Sequence, residues 1–219
     1  MKEKFQQLLE AIKKDLIFLA NEAEHNIRQA VNAFQKRDLD LARRVIESDQ
    51  EIDRMEVNIE DQILTLLALQ QPVAIDLRFI ISGLKMNNDL ERIGDHAVNI
   101  SKTVLQFGDK PMPKSSDEIY PMSELACKML HDAVSAFIHQ DTDLARKVCK
   151  ADEEVDALYN RILEATMQEL KKTPKNLEQG FAVARIARFL ERVGDLATNI
   201  GEDVVFMKEA KIIRHHFQE

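Results

Sequence analysis

Ten residues, Glu91-Arg92-Ile93-Gly94-Asp95-His96-Ala97-Val98-Asn99-Ile100, return one hundred positions later as Glu191-Arg192-Val193-Gly194-Asp195-Leu196-Ala197-Thr198-Asn199-Ile200, seven of the ten identical. Whatever the first half folds into, the second must fold into as well. Both copies set a Gly among strong helix formers, where it costs about 1 kcal/mol relative to Ala. Both hold carboxylates at i and i+4, a like-charge spacing that weakens an isolated helix by roughly 0.2–0.5 kcal/mol. Helix stability alone does not account for keeping these residues twice.

The rest of the chain obeys the same repeat. Residues 1–71 contain neither Gly nor Pro, which favours long helices over sheet. A first helix is expected from about Phe5 to Phe34. Asp38 suits the N-cap of a second helix reaching about Leu69, because its carboxylate can accept from the free amides of a first turn. Gln70-Gln71-Pro72 ends that helix. A third helix runs to about Phe107, with Leu90, Ile93, Ala97, Ile100, Val104 and Phe107 as its apolar stripe. Gly108 to Ser116 is rich in Pro, Gly and Ser, and the pattern then restarts. Asp38-Leu39-Asp40-Leu41-Ala42-Arg43 becomes Asp141-Thr142-Asp143-Leu144-Ala145-Arg146, and Thr173-Pro174 stands where Pro72 stood. The expected fold is all-α: a tandem repeat of two antiparallel three-helix bundles related by a pseudo-twofold, covering 1–107 and 119–219 with a linker at 108–118.

Hairpin counting places the acids. Asp53 lies 18 residues before Gln71 and Glu91 lies 19 after Pro72; Asp49 and Asp95 lie 22 before and 23 after. In the second half Asp156 and Glu191 are each 17 residues from the Thr173-Pro174 turn, and Asp152 and Asp195 each 21. At about 1.5 Å per residue, antiparallel helices bring these level. Two groups of four carboxylates result, with Asn99 and Asn199 one turn along as neutral oxygens or water holders. Oxygen-only groups suit hard cations such as Mg²⁺, Mn²⁺, Ca²⁺ or iron, and zinc less well. Taking 100° per residue, Glu91 and Asp95 point away from the apolar stripe and should be exposed. A solvated charged face is the competing explanation. Yet the acids recur while neighbours differ between the copies, Asn87 against Ala187 and Asn88 against Arg188.

Weaker signals read as structure. Glu22 and His25 match one Glu-x-x-His unit of di-iron bundles, but their counterparts are Leu125 and Lys128. His96 is Leu196 in the other copy and suits a helix flank. Cys127 and Cys149 fit small thiols in a reducing cytosol. Arg92 and Arg192 suit interhelical ion pairs or an anion. Net charge is −8 without a clustered basic block, which argues against nucleic acid. A secretory leader layout and a run long enough for a membrane span are both missing, so a cytoplasmic protein is expected.

Leu90-Glu91-Arg92-Ile93-Gly94-Asp95, Leu190-Glu191-Arg192-Val193-Gly194-Asp195, Asp40-Leu41-Ala42-Arg43-Arg44-Val45-Ile46-Glu47 and Gln71-Pro72 with Asp76-Leu77-Arg78 closely resemble the recurring segments of the PhoU family, bacterial regulators of phosphate uptake. The resemblance spans essentially the whole chain. It implies two three-helix bundles, and a non-catalytic cytoplasmic role with the ATPase subunit of the high-affinity phosphate ABC transporter and the phosphate-sensing histidine kinase. That role represses the starvation response when phosphate is plentiful; a homodimer is expected. The family's metal motif, an acid, three residues, then Asp, maps onto Asp49/Asp53, Glu91/Asp95, Asp152/Asp156 and Glu191/Asp195, where Mg, Mn, Fe or Zn would bind. The alternative of another class is a carboxylate-bridged hydrolase or oxidase. It needs an enclosed pocket and a general acid or base of perturbed pKa, which exposed acids do not supply.

Overall fold

The computed structural model describes residues 2–108 and 110–213. Among the described residues six long helices make up the fold: α1 (Lys2–Lys36), α2 (Leu39–Gln70), α3 (Ala74–Phe107), α4 (Ile119–His139), α5 (Thr142–Lys172) and α6 (Leu177–Glu209). Short 3₁₀ turns at Lys114–Glu118 and Pro174–Asn176 lead into α4 and α6. Among the described residues no helix is long and apolar enough to cross a membrane.

The turns repeat as faithfully as the helices. Arg37 and Gln140, 103 positions apart, both take the left-handed conformation (φ 55° and 54°). The amides that follow, of Asp38 and Asp141, donate to the carbonyls of Ala33 and Ala136 at 2.9 Å in both copies. The two aspartates then cap α2 and α5. Asp38 Oδ1 accepts from the Leu41 amide at 2.8 Å, and Asp141 Oδ1 accepts from Asp143 and Leu144 at 3.0 Å. A helix end with a left-handed residue and a side-chain cap in immediate succession reverses the chain tightly. That makes α1 and α2, and likewise α4 and α5, antiparallel pairs.

Leu90, Ile93, Ala97 and Ile100 are fully buried, and Leu190, Val193, Ala197 and Ile200 are buried in the equivalent places. The two bundles are fused, with their buried side chains forming one continuous core. Between the halves, α1 meets α4 and α3 meets α6, each helix packing on its own repeat equivalent. Like-on-like contact is the mark of a twofold. Arg78 Nε donates to the Met207 carbonyl at 2.9 Å near one end of α3, and Arg185 donates to Gln106 Oε1 at 3.0 Å near the other, so α3 and α6 run antiparallel. Helices α2 and α5 lie outside, each packed on its own repeat. The connection between the repeats is pinned: both carboxylate oxygens of Glu169 accept from the amides of Lys114 and Ser115, at 3.1 and 3.2 Å.

Candidate functional site

The repeated glycines sit where an outer helix crosses an inner one. A Cβ at Gly94 would stand 3.1 Å from Asp49 Oδ1 and 3.0 Å from Ile52 Cδ1. At Gly194 it would stand 3.2 Å from Asp152 Oδ1 and 3.3 Å from Val155 Cγ1. Glycine therefore lets α2 and α5 lay a carboxylate directly on the backbone of α3 and α6. This close approach, the same in both copies, is what the helix-weakening Gly secures.

The acids are coupled across each helix pair. Asp49 is half-buried, and its pKa is pushed up to about 6 by burial, then by Asp53 and Asp95. Asp152 rises to about 6 through burial and the charges of Asp156, Asp195 and Glu191. Burial and the neighbouring acids also raise Glu91 and Glu191. Each predicted quartet is thus brought to one face, as the hairpin counting requires. Perturbed carboxyls are present after all, because Asp49 and Asp152 lie in the groove floor and not on its rim.

Exposure departs from expectation. Asp95 is exposed, but Glu91 is half-buried, and of their equivalents Asp195 is half-buried and Glu191 only 8% exposed. The cover over Glu191 comes from its own flank. Arg188 donates to Glu191 Oε1 and lies over the Tyr159 ring of α5, 5.7 Å from its centroid. Position 188 differs from its counterpart Asn88, so the repeat gave no signal for it. The arginines also depart from expectation, pairing within their helices and not between them. Arg192 Nη1 bonds Asp195 Oδ2 at 2.8 Å and Arg92 Nη1 lies 3.6 Å from Asp89 Oδ1, each one turn away.

A cation would find all-oxygen donors here. Asp152 Oδ1 is buried and without a hydrogen-bond partner; Glu191 Oε2 also lacks one, but Arg192 Nε lies 3.9 Å from it. As the side chains stand, however, no three His, Cys, Asp or Glu groups among the described residues close around a point that could hold a metal ion. Closure needs the exposed Asp53, Asp95 and Asp156 to turn inward and Asp195 to leave Arg192. Asn99 is half-buried, and Asn199 lines a cavity of about 350 Å³ between α3 and α6, with Arg92, His96 and Arg192. His96 fills a helix flank there: its ring stacks on Phe189 of α6 at 5.8 Å, and burial lowers its pKa. Glu22 and His25 stay on α1, half-buried and exposed. Burial pushes the Cys127 and Cys149 thiols up to about 12 and about 11, leaving both protonated and inert.

Two fused three-helix bundles with a repeated acid-on-glycine groove define a class of tandem-repeat helical proteins. The family model described as "PhoU domain" matches twice, at residues 16–104 and 119–204, and the chain belongs to the PhoU family. It is 37% identical over 212 residues to the phosphate-specific transport system accessory protein PhoU homolog of Aquifex aeolicus, covering 96% of each chain. The crystal structure of PhoU from Pseudomonas aeruginosa superposes with a TM-score of 0.91 at 34% identity, over 94% of this chain and 100% of that one. The phosphate transport system regulatory protein PhoU from Streptococcus pneumoniae gives a TM-score of 0.89 at 28% identity, over 95% and 98%.

Proposed function

We propose that this protein is a cytoplasmic regulator of phosphate uptake that works by binding. It couples the ATPase subunit of a phosphate ABC transporter to a phosphate-sensing histidine kinase, without turnover of its own. The observation that carries this is the pair of twofold-related acid grooves, α2 on α3 and α5 on α6, carried on one rigid core. Two equivalent faces can engage two partners at once, and linkage then lets occupancy of one report on the other. The names of the relatives, accessory and regulatory proteins of phosphate transport, support this reading.

A hard cation held by Asp49, Asp53, Glu91 and Asp95, and another by Asp152, Asp156, Glu191 and Asp195, would neutralise each face and reshape it. The buried, unpartnered Asp152 oxygen supports that part. The raised carboxyls of Asp49 and Asp152 are the one feature that favours the hydrolase alternative. Burial and like-charge crowding explain them without catalysis.

The test is complementation in a bacterial cell whose own regulator has been deleted. Wild-type protein should restore phosphate-dependent repression of starvation genes. The isosteric quadruple variant Glu91→Gln, Asp95→Asn, Glu191→Gln, Asp195→Asn should fail at equal abundance. Repression by that variant equal to wild type would remove the acid grooves from the mechanism. Turnover of phosphoester substrates by pure protein, lost in Asp49→Asn, would establish the hydrolase instead.

A further inference from the structure

The internal twofold pairs two grooves at opposite ends of the α3–α6 contact, and they differ in occupancy and in charge. Beyond the C-terminal end of α6, a groove walled by Lys85, Asp203 and Phe206 also carries Ile212 and Ile213, the chain's own continuation. Ile213 packs onto the core, and a space of only about 90 Å³ remains. One hundred positions away in each case stand Arg185, Thr103 and Gln106, and these wall the equivalent groove at the other end. There the space is about 450 Å³, floored by Phe107 and Ala182. Its apolar lip is open to solvent, with Leu177 52% and Phe181 62% exposed. The same site is filled in one half by the chain's own Ile213, with Ile212 at its edge and 63% exposed, and left open in the other.

The charges have changed along with the occupancy. In the plugged groove Lys85 Nζ lies 3.2 Å from Asp203 Oδ1, and the plugging segment carries the cation Lys211 beside its isoleucines. In the open groove Thr103 stands at the position of the acid Asp203. Arg185 thus stands opposite a neutral residue where its equivalent has a carboxylate, and it bonds the neutral Gln106. Lys110 adds a second cation to the rim, paired with Glu178. The polarity of the site is inverted relative to its twin: a basic plug on an acidic wall in one half, a basic wall in the other.

We propose that the open groove is a docking site for a short extended segment of a partner polypeptide, bearing two adjacent aliphatic side chains flanked by acidic residues. The aliphatic pair would fill the space between the Phe107–Ala182 floor and the Phe181 lip, as Ile213 fills its counterpart, and an acidic flank would supply the carboxylate that Arg185 lacks. Desolvated aliphatic anchors set the affinity and rim charges set the choice among partners. The groove shares no residue with the acid faces, so failure here leaves the proposed function standing, and the converse holds.

The test is amide-shift NMR on the full chain, titrated with three synthetic hexapeptides. One has two isoleucines between acidic pairs, one the same isoleucines between lysine pairs, and one two serines between acidic pairs. The first should move the amides of Thr103, Gln106, Lys110 and Phe181 saturably, and the other two should not. Leu177→Ser with Phe181→Ser, both exposed and so compatible with an unchanged melting curve, should weaken the first peptide by at least ~10-fold. Phe18→Ser, on α1, should leave its binding unchanged. Arg185→Glu should reverse the preference towards the lysine-flanked peptide. Lack of shifts at millimolar peptide would overturn the proposal. Equal binding of acidic and basic peptides would do the same. Concentration-dependent self-association abolished by Phe181→Ser would assign the groove to a second copy of this chain and refute the partner peptide.

Discussion

Replacing Asp49 and Asp152 with Asn should make the protein more stable at neutral pH. Each carboxylate is laid on a glycine backbone by an outer helix, and each has its pKa raised from 3.8 to about 6. A raised acid pKa means that the folded chain binds the proton more tightly than the unfolded chain. Stability from these two groups is therefore fullest below pH 4, falls as pH rises through the window from 4 to 6, and stays low above it. Two pH units at about 1.36 kcal/mol each come to about 3 kcal/mol per site. Both groups keep partial contact with water, and taking screening at half strength leaves about 1.5 kcal/mol each, or about 3 kcal/mol for the pair. The double variant should thus gain about 3 kcal/mol at pH 7.5 and almost nothing at pH 4. At 2–4 °C per kcal/mol, that is a rise in Tm of roughly 6–12 °C. Urea unfolding from pH 4 to 8 with chelator present, so that no cation masks the repulsion, reads both slopes. A wild type that becomes more stable from pH 4.5 to 6.5 by this term, or a variant no more stable at pH 7.5, would refute the reasoning.

Other expectations follow from the same grooves and turns. Gly94→Ala should cost roughly 1 kcal/mol in chemical denaturation: overpacking against Ile52 and Asp49 outweighs the helix-propensity gain of about 1 kcal/mol. Gly194→Ala, with contacts a few tenths of an ångström looser, should lie near zero. Asp38→Ala and Asp141→Ala should each lose about 1 kcal/mol with their caps, and the two losses should add, since the caps share no partner. Isothermal titration with Mn²⁺ should show two sites in the wild type and one in Asp152→Asn with Asp195→Asn. Heats unchanged in that variant would exclude the second acid groove as a metal site.

The sequence carried the architecture because its repeat is written in residues that control the backbone. Asp38 and Asp141 cap, Pro72 and Pro174 interrupt, and Gly94 and Gly194 admit a neighbouring helix. Such residues act locally and can be read one at a time. Hairpin counting then levelled the acids, since a helix rises evenly and both arms were counted from one turn. Exposure was less legible. Helical periodicity gives direction relative to a helix's own stripe, but not what another helix lays over it. Glu191 points outward by periodicity and is nonetheless covered, because Arg188 folds back over Tyr159 of α5. Arg188, Phe189 and the Lys85–Asp203 pair have no equivalent in the other copy, so the comparison that found the acids was blind to them.

That blindness marks a division of labour. Features kept in both copies (caps, glycines, acids) define the two grooves and the twofold, and a mutation there should affect both halves in parallel. Features present once do what symmetry cannot. His96 stacks on Phe189 across the α3–α6 contact where its own equivalent is Leu196, and Lys85 reaches Asp203 where the equivalents are Arg185 and Thr103. A perfectly symmetric α3–α6 contact would offer two identical ends, and partners would meet them without distinction. Divergence at these few contact positions makes the ends chemically different, while the acids and glycines of the two faces are kept. The proposed coupling role calls for both properties: repeated faces that respond to the same signal, and unequal ends that tell one partner from another.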